Sequence, residues 1–557
     1  MHKAINAILK SRGIDEEMRE EFFSSRPSLA YDPFLLENMQ AGVDLLLKAV
    51  DDGRRIVIYG DYDVDGITST SLLMKVISSL TDNVTYYIPS RFHEGYGLHT
   101  ESIDRIKEEG GEFIVTVDCG AVSKEETLYA HSLGIETLVT DHHNVTETRA
   151  DGLIINPQLP EDKYPFKGLA GVGVAYKLAL ALSRKTNVPK DIMAEIVELA
   201  TIGTIADIMP MLDENRTIVK CGLRSIHLGC RNKGLRRLID LSGLNYKTLR
   251  ASDVSFGIAP RINAAGRLGD AKLGVKLFLA EDDDEIESYC NALIEANKLR
   301  RQLQDEAYDR SATTAEEEMK KGDFLVLEVN GAHEGVLGIV AGKLREDLNR
   351  PVIIVSQNDG FYKGTGRSIE KVDLFDMLDK YRDQFISFGG HSAACGFSID
   401  SDKIDKLRAH LNEDIAELYK EDDTIFDKIY RYDAEVATEE FNIQLAEDVQ
   451  LLEPCGRDNE VPFFMIRGAK PRNWRYLKGG KNYAKFVIED ENRRWIDCLV
   501  FHNADEYKDV VEANESVDLI GGIEINCWND VKKAQMIVQY ILPPQKDSQK
   551  DSQKDKD

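Results

Sequence analysis

The sequence predicts an α/β protein: two α/β lobes joined by a long helix, followed by a small β-barrel. Three observations predict this class. Short β-rich runs alternate with helical segments over residues 51–278 and again over 322–420. A polar, proline-free stretch over 279–321 separates these two regions. Mostly strand-like segments then fill 425–545.

Composition limits the class of protein. The chain has 557 residues, 42% of them hydrophobic, which is enough for several cores. The eight cysteines are scattered and form no CxxC pair, so neither a disulfide framework nor a cysteine zinc site is predicted. The sequence contains no apolar run of membrane-spanning length and no signal-peptide pattern at its start. We therefore expect a cytoplasmic monomer that does not contact a membrane.

The net charge of −27 argues against a general polycation for nucleic acid. It leaves room for local basic patches and favours the binding of divalent cations. Global charge therefore does not identify the binding partner.

The order of the elements follows from periodicity and from helix-ending residues. Residues 1–50 are predicted to form a helical extension, and the helix ENMQAGVDLLLKAVDDG ends at Gly53. The first lobe alternates helical segments with five strand-like runs, which predicts βαβ units and a parallel sheet. These runs are RIVIYG (55–60), NVTYYIP (83–89), EFIVTV (112–117), IETLVT (135–140) and GLIIN (152–156).

The second half of the chain contains three further regions. A connecting helix of about 38 residues would be ~57 Å long, and its polarity suits a solvated strut between lobes. DFLVLEV (323–329) and PVIIVS (351–356) predict strands of the second lobe. The end of the chain, 546–557, repeats KDSQ without an apolar residue and is predicted to be disordered.

Acidic or histidine-bearing segments directly follow three predicted strands of the first lobe. The carboxyl ends of parallel strands open on one edge of a sheet, so these side chains should converge. Several ionised carboxylates at one edge repel one another unless cations lie between them. The residues concerned are Asp61, Asp63, Asp65, Asp118, Asp141, His142 and His143.

Oxygen-rich ligation with one or two imidazoles and no thiolate suits Mn²⁺ or Mg²⁺ better than structural zinc. Two such ions sharing a carboxylate, ~3.5–4 Å apart, would activate water and hold a phosphate for displacement. Simpler interpretations remain for single residues. Asp141 alone could be a helix N-cap, and His143 could be a local hydrogen-bonding residue.

Several segments resemble a known superfamily. GDYDVDGITST, TVDCG, DHH and GTIADIMP, in that order, resemble the four motifs of the DHH phosphoesterases. AHEGVLGIVAGKL, GTGRS and GGHSAACGFSI resemble the DHHA1 partner domain. APRINAAGRLGDA, YDAEV and LLEPCGRDNEVPFF resemble segments of the RecJ family of single-strand-specific 5′ exonucleases, although CGRDNE departs from the usual Phe-Gly and Gly-Asn pattern. The likeness covers about residues 25–545.

The resemblance implies domains and roles for particular residues. It assigns 51–278 to a DHH catalytic domain, 279–321 to the connecting helix, 322–420 to a DHHA1 domain and 425–545 to an OB-like domain. It implies one ion held by Asp61 and Asp63, and a second held by Asp65, His142 and Asp207. Asp118 would bridge the two ions. Asp141 would orient a histidine, and His143 would touch the phosphate or serve the leaving group.

Phosphate groups also require cations from the protein, and several arginines and polar residues stand in turn-like, glycine-bracketed segments. In RecJ-like proteins these regions bind the DNA backbone and its terminal phosphate, so the resemblance implies that some of them read the 5′ end. The alternative for each arginine is a surface ion pair. The candidates are Arg91, Arg261, Asn263, Arg267, Arg367, Ser368 and His391.

A basic patch lies in the C-terminal region. Residues 467–488 contain seven Lys or Arg and no acid, interleaved with Trp474, Tyr476, Tyr483 and Phe486. Bases stack on exposed aromatic rings while cations follow the backbone, as in OB-type barrels. Strand residues alternate between faces, so some of these rings must belong to the core. Trp474 and Arg475 are the predicted strand-binding pair.

These observations predict a two-metal exonuclease that digests single-stranded DNA from 5′ to 3′ and releases 5′-mononucleotides in repair and recombination. Direction and DNA preference come from the resemblance. A single-strand-binding protein or a helicase is a candidate partner. One alternative is a DHH enzyme acting on short oligonucleotides, nucleotide bisphosphates or pyrophosphate. Another is a non-catalytic replication-fork protein, although here every expected metal position is filled.

Overall fold

A computed structural model describes residues 1–92, 94–145, 148–358, 360–478, 480, 482–490, 493–528 and 531–544. The tail predicted to be disordered lies outside the described residues. Within them, no helix combines the length and the apolar character needed to cross a bilayer.

The chain begins with two short helices and a third, longer one. Ile5, Ile8 and Leu9 lie on one buried face of the first helix, at the spacing of an amphipathic helix. Gly42 lets the third helix approach the sheet of the first lobe, because a Cβ there would stand 2.8 Å from the Ile155 side chain. The helices are α1 (Lys3–Ser11), α2 (Glu16–Phe23) and α3 (Met39–Asp51).

The first lobe contains a five-stranded parallel sheet in the order β2-β1-β3-β4-β5. All five strand-like runs of the sequence form strands, and the parallel prediction is confirmed. Every residue of β1 and β3 is buried, as expected for a sheet covered on both faces. The elements are β1 (Ile56–Gly60), α4 (Val64–Ser78), β2 (Val84–Tyr87), α5 (Thr100–Glu108), β3 (Phe113–Val117), α6 (Lys124–Ser132), β4 (Glu136–Thr140) and β5 (Leu153–Ile155).

Helix α4 is surrounded by protein although its sequence is rich in hydroxyls. Thr68 and Ser71 donate to backbone carbonyls one turn earlier, Val64 at 2.8 Å and Ile67 at 2.7 Å, whereas the buried hydroxyls of Ser69 and Thr70 have no hydrogen-bond partner among the described residues. The helices that complete the lobe are α7 (Gly171–Lys185), α8 (Lys190–Ala206), α9 (Asp213–Leu228), α10 (Lys233–Leu241), α11 (Ala251–Asp253), α12 (Ala259–Leu268) and α13 (Lys272–Leu279).

The predicted connecting helix is confirmed as α14 (Asp283–Glu318), with 36 residues and a length of about 54 Å. Asp282 caps its start by accepting hydrogen bonds from Asp284 N and Glu285 N. Its first half packs Ile286 into the core of the first lobe, and its second half packs Ala315 into the second lobe. One helix therefore fixes the spacing of both lobes.

The second lobe has a mixed sheet in the order β6-β7-β8-β10-β9, in which only the β6-β7 pair is parallel. Strand β9 is an edge strand whose residues are exposed or half-buried. The elements are β6 (Leu325–Glu328), α15 (Glu334–Leu348), β7 (Val352–Asn358), β8 (Phe361–Arg367), α16 (Leu374–Asp379), β9 (Phe385–His391), β10 (Ala394–Asp400) and α17 (Ile404–Glu421).

The C-terminal region forms a seven-stranded sheet in the order β11-β12-β16-β17-β15-β14-β13, consistent with the predicted OB-like domain. Two helices, α18 and α19, accompany the strands. The elements are β11 (Ala434–Glu435), α18 (Ile443–Gln450), β12 (Phe464–Ala469), β13 (Pro471–Tyr476), β14 (Ala484–Glu489), β15 (Trp495–Val500), α19 (Ala504–Ala513), β16 (Val517–Trp528) and β17 (Val531–Leu542).

The first two helices pack against this C-terminal domain. Ile5 and Phe22 belong to the same apolar core as Phe464 and Phe486. Arg12 donates to Asn459 Oδ1 at 2.8 Å. The stretch predicted as one N-terminal extension is therefore divided, because α3 packs on the first lobe and α1 and α2 complete the C-terminal core.

One buried arginine of α9 holds the first lobe, the N-terminal helices and the C-terminal domain together. Arg216 is 4% exposed and its guanidinium lies over the Phe22 ring, 3.8 Å from the centroid. Its five hydrogen bonds, 2.8–3.3 Å long, go to the backbone carbonyls of Phe22, Leu452, Glu453 and Pro454.

Candidate metal centre and substrate groove

The predicted acidic residues converge at the carboxyl edge of the first sheet. They come from the β1-α4 junction, the ends of β3 and β4, and the C-cap of α8. Potential ligand atoms within each of three groups lie within 4.8 Å of one another. The groups are Asp61, Asp63 and Asp118; Asp65, His142 and Asp207; and Asp118, His142 and His143.

Asp118 belongs to two of these groups, one with Asp61 and Asp63 and one with His142 and His143. The distance from His142 Nε2 to Asp118 Oδ1 is 3.1 Å, and that to Asp207 Oδ2 is 3.6 Å. Asp118 has a φ of 61°, a left-handed conformation in which Asp and Asn are tolerated better than other residues with a side chain. The backbone therefore favours an Asp or Asn at this point.

Three buried atoms of the cluster have no hydrogen-bond partner among the described residues: Asp61 Oδ1, Asp118 Oδ1 and His142 Nε2. Buried polar atoms are rarely left unsatisfied. Carboxylate oxygens and a neutral imidazole nitrogen facing one space are a donor set for Mn²⁺ or Mg²⁺. The residues present therefore fit the predicted cations.

Backbone groups fix the orientation of the acids. Asp63 is the N-cap of α4, since its Oδ1 accepts from Asp65 N at 2.9 Å and from Gly66 N at 3.1 Å. The Asp65 carboxylate accepts from Gly171 N at 2.7 Å and Val172 N at 2.8 Å, at the positive end of α7. A Cβ at Gly171 would stand 2.5 Å from Asp118 Oδ1, so only glycine permits this approach.

The crowding of acids changes their protonation in the cation-free protein. Burial and the charge of Asp63 raise the pKa of Asp61 to about 8 and that of Asp207 to about 7. Burial, with neighbouring acids, raises the pKa of Asp65 and Asp118 well above the usual range. Burial, with the charge of His143, lowers the pKa of His142 to about 4, so its imidazole is neutral and able to bind a cation.

These shifts predict how pH and Mn²⁺ act on stability. Asp61 and Asp207 keep protons when folded that the unfolded chain releases near pH 3.8. Their contribution to stability is therefore complete below that pH and is lost as pH rises through about 7 and 8. Because Mn²⁺ replaces these protons, it should raise the melting temperature more at pH 8 than at pH 6. Differential scanning calorimetry with Mn²⁺ or with EDTA, at matched ionic strength, measures both effects. Equal Mn²⁺ shifts at the two pH values would contradict the prediction.

Asp141 and His143 form a pair beside the cluster. Asp141 accepts from Ala121 N at 2.9 Å and from the backbone N–H of both histidines, and His143 Nδ1 lies 2.7 Å from its Oδ1. Burial opposes a charge on either side chain, yet their hydrogen bond lowers the pKa of Asp141 and raises that of His143. The N-cap interpretation of Asp141 is wrong, because none of the helices in the described residues begins there; its carboxylate is instead hydrogen-bonded to His143.

Sequence reasoning missed Tyr96. Its hydroxyl donates to the Asp118 carbonyl at 3.1 Å and lies 2.9 Å from His143 Nδ1. The glycines on either side of it, in EGYG, are the signal that could have indicated a close approach.

A cavity of about 290 Å³ lies between the two lobes. Arg91 and Phe92 line it from the first lobe, and Lys363 and Thr365 line it from the second. The Arg91 guanidinium also lies 5.1 Å from the centroid of the Tyr62 ring, and Tyr62 is the residue that follows Asp61 in the chain. Arg91 thus connects the acidic cluster with the cavity. Lys363 is a second residue that sequence reasoning missed, since a lone lysine on a strand carries no motif.

Two of the predicted candidates, Arg267 and Arg367, contact residues that line this groove. Arg267 donates to Gly335 O across the lobes at 3.1 Å. Burial and the charges of Arg91, Arg300 and Arg367 lower the pKa of Arg267 to about 10. Arg261 donates to Gly257 O one turn earlier, and Asn263 is half-buried on the same helix, α12. Arg300, on α14, was not identified from the sequence.

Three candidates of the second lobe, Ser368, His391 and Arg367, differ in accessibility. Ser368 is buried and its hydroxyl donates to Val372 O at 2.7 Å, which corrects the expectation that it offers this proton to phosphate. His391 is exposed at the end of the edge strand β9. Arg367 is half-buried and donates to Gly366 O at 2.7 Å.

Several side chains of the basic patch make contacts within the C-terminal domain, which its composition alone did not indicate. Phe486 is fully buried, and the half-buried Trp474 stacks on it with centroids 5.5 Å apart. Lys485 pairs with Asp497 at 2.9 Å. Arg475 is exposed. Of the predicted pair, Arg475 is therefore the residue whose replacement leaves the core intact.

The comparisons with known proteins agree with this architecture. Residues 55–204 match the DHH family, N-terminal domain; residues 321–417 match the DHHA1 domain; and residues 432–540 match the RecJ OB domain. The single-stranded-DNA-specific exonuclease RecJ of Escherichia coli is 32% identical over 91% of this chain and 91% of its own length. The Bacillus subtilis protein of the same name is 34% identical over 96% of this chain and 67% of its own.

A crystal structure of Thermus thermophilus RecJ in complex with Mn²⁺ has a TM-score of 0.81 to this chain at 29% identity, covering 98% of this chain and 76% of the other. The three domain matches lie in the order DHH, DHHA1 and OB. The chain belongs to the RecJ family.

Proposed function

We propose that this protein is a metal-dependent exonuclease that digests single-stranded DNA from the 5′ end and releases 5′-mononucleotides. The observation that carries the proposal is the cluster of buried ligand atoms without hydrogen-bond partners among the described residues, next to a cavity between the lobes that Arg91 and Lys363 line. Relatives named single-stranded-DNA-specific exonucleases support the substrate class.

The proposed site holds two divalent cations, Mn²⁺ or Mg²⁺. Asp61 and Asp63 would hold one, Asp65, His142 and Asp207 would hold the other, and Asp118 would be shared between them. When bound, such cations supply Lewis-acid charge to a phosphodiester and lower the pKa of water. A crystal structure of exonuclease RecJ bound to manganese, 34% identical to this chain, supports the choice of metal.

The protein's own groups position the substrate. His143 has a side chain that is 46% exposed and a pKa that its contact with Asp141 raises, and it would contact a phosphate oxygen or the leaving group. Arg91, Arg267 and Arg367 supply positive charge around the groove. The cavity between the lobes is bounded by protein on both sides, which favours a single strand over a duplex.

The proposal extends to the cellular setting. The expected processes are DNA repair and recombination in the cytoplasm, with the enzyme acting as a monomer. A single-strand-binding protein or a helicase is the candidate partner that would present the strand. The exposed Arg475 and the neighbouring Trp474 are candidates to guide that strand along the C-terminal domain.

One gel tests the proposed function. Single strands labelled at the 5′ or the 3′ end, and a duplex, are incubated with Mn²⁺ and then with chelator. The 5′ label should appear at once as a mononucleotide, and the 3′-labelled strand should shorten progressively. The duplex and the chelated samples should stay intact. Cleavage restricted to dinucleotides or bisphosphates would instead support a different DHH phosphodiesterase.

The role of Arg91 gives a separate prediction. If Arg91 binds the terminal phosphate, Arg91→Ala loses a charge-assisted contact of about 1.5–3 kcal/mol. This corresponds to about 10–100-fold in kcat/KM on a 5′-phosphorylated strand. The loss should be smaller on a 5′-hydroxyl strand. Lys107→Ala, which removes an exposed charge on α5, is the matched control. An equal loss on both strands would show that Arg91 does not read the end.

A further inference from the structure

The loop 452–459 of the C-terminal domain is fixed against the first lobe beside the acidic cluster. Met211 N, four residues after Asp207, donates to Arg457 O at 2.7 Å. A Cβ at Gly456 would stand 3.2 Å from the Met211 side chain, so the two segments are in close contact. Asn459 Nδ2 donates to Leu452 O and to Pro454 O, each at 2.9 Å, which holds the ends of the loop together.

The Arg457 side chain takes no part in holding this loop. It is 59% exposed, and within the described residues its ion pair is a 3.9 Å contact with its neighbour Asp458. The backbone carbonyl of Arg457 is hydrogen-bonded to Met211, four residues after Asp207, so the side chain leaves the chain at a point held beside the cluster. A fixed backbone therefore presents an available cation next to the cluster.

The position of Arg457 complements that of Arg91. Arg91 lies beside Asp61 and lines the cavity between the lobes, where the terminal nucleotide is proposed to bind. Arg457 is held through its backbone to the segment that follows Asp207, a ligand of the other proposed cation. A strand that ends in the cavity and crosses the cations must continue past this second position. Its next phosphate would meet the Arg457 guanidinium there.

We propose that Arg457 binds a backbone phosphate on the 3′ side of the scissile bond, and so directs the strand from the metal centre towards the C-terminal domain. This inference rests on the proposed function. An arginine suits the role because its planar guanidinium contacts phosphate through two hydrogen bonds and remains charged at any working pH. The loop contributes this contact only because the C-terminal domain is docked on the first lobe.

The test compares Arg457→Ala with Arg224→Ala on two substrates. Arg224 is an exposed arginine on α9, about 16 Å along the helix from its start, and serves as the matched control. The substrates are a 5′-phosphorylated strand of about 20 nucleotides and a 5′-phosphorylated dinucleotide with no phosphate beyond the scissile one. Binding of the longer strand, labelled at its 3′ end, is measured in EDTA by fluorescence anisotropy over a range of salt concentrations.

Arg457→Ala should lower kcat/KM about tenfold on the long strand and leave the dinucleotide unchanged. It should also weaken binding and reduce the slope of log affinity against log salt by about 0.7, one phosphate contact for a single strand. Arg457→Lys should keep the salt slope. Equal losses on both substrates would assign Arg457 to the cations instead, and unchanged binding with an unchanged slope would overturn the proposal. The anisotropy measurement tests the role of Arg457 even if the wild-type enzyme proves inactive. Such inactivity would separately reject the proposed function.

Discussion

Asp118→Asn is expected to reduce Mn²⁺-dependent digestion of single-stranded DNA by on the order of 10³-fold. Asp118 joins the group of Asp61 and Asp63 to the group of His142, so its charge is needed by both proposed cations. Asparagine is preferred to alanine because the residue has a φ of 61°, which alanine adopts at a cost and asparagine tolerates. The loss can then be assigned to the carboxylate rather than to the backbone.

The same substitution should not destabilise the cation-free protein. It replaces one of several buried acids that repel one another, so the melting temperature in EDTA should stay the same or rise at pH 8. The stabilisation by Mn²⁺ should largely disappear. Asp82→Asn, which removes the charge of an exposed turn residue, is the control for both measurements. Digestion at the wild-type rate by Asp118→Asn would reject the bridging role.

Arg216→Met is expected to cost about 3–5 kcal/mol of stability at the junction of the first lobe with the C-terminal domain. Methionine removes five hydrogen bonds to four buried carbonyls. Leu452 O and Pro454 O each keep a hydrogen bond from Asn459, and Phe22 O keeps one from Lys220. The loss of stability is therefore smaller than the cost of leaving four buried carbonyls without any hydrogen bond. Glu453 O loses the hydrogen bond that Arg216 provides.

Calorimetry and limited proteolysis measure this effect. The C-terminal domain should unfold or separate at a lower temperature than the first lobe, and protease should cut first near residues 24–30 or 422–432. Arg224→Met changes the exposed surface of the same helix and should alter stability by less than about 0.5 kcal/mol. A melting profile for Arg216→Met that matches the wild type would show that other contacts hold the domains together.

The sheet edge and its acids could be predicted from sequence because they depend on local signals. Apolar runs of five or six residues separated by helical segments predict parallel strands, and Asp61 and Asp118 directly follow such runs. Parallel topology then brings their side chains together. Asp207 lacked this signal, because it caps the end of α8 like many ordinary helix residues, and only the resemblance identified it.

The remaining features depend on contacts between distant parts of the chain, which no local pattern encodes. Ser368 stands in a glycine-bracketed segment suited to phosphate, yet its hydroxyl is used by Val372. Arg216 looks like an ordinary arginine of an amphipathic helix, and its role appears only when three segments meet around it. The amphipathic face of α1 predicts that the helix packs against another part of the protein, but it does not identify that part.

The partnership of α1 and α2 with the C-terminal domain also has a consequence for biosynthesis. The apolar faces of these helices leave the ribosome first, but the strands that cover them follow more than ~400 residues later, roughly 20–80 s at ordinary translation rates. During that interval Ile5, Ile8 and Leu9 are without their native neighbours, and exposed apolar surface of this kind is prone to aggregation. The folded enzyme, able to bind DNA, therefore forms late and in one step, when the N-terminal helices pack against the C-terminal domain.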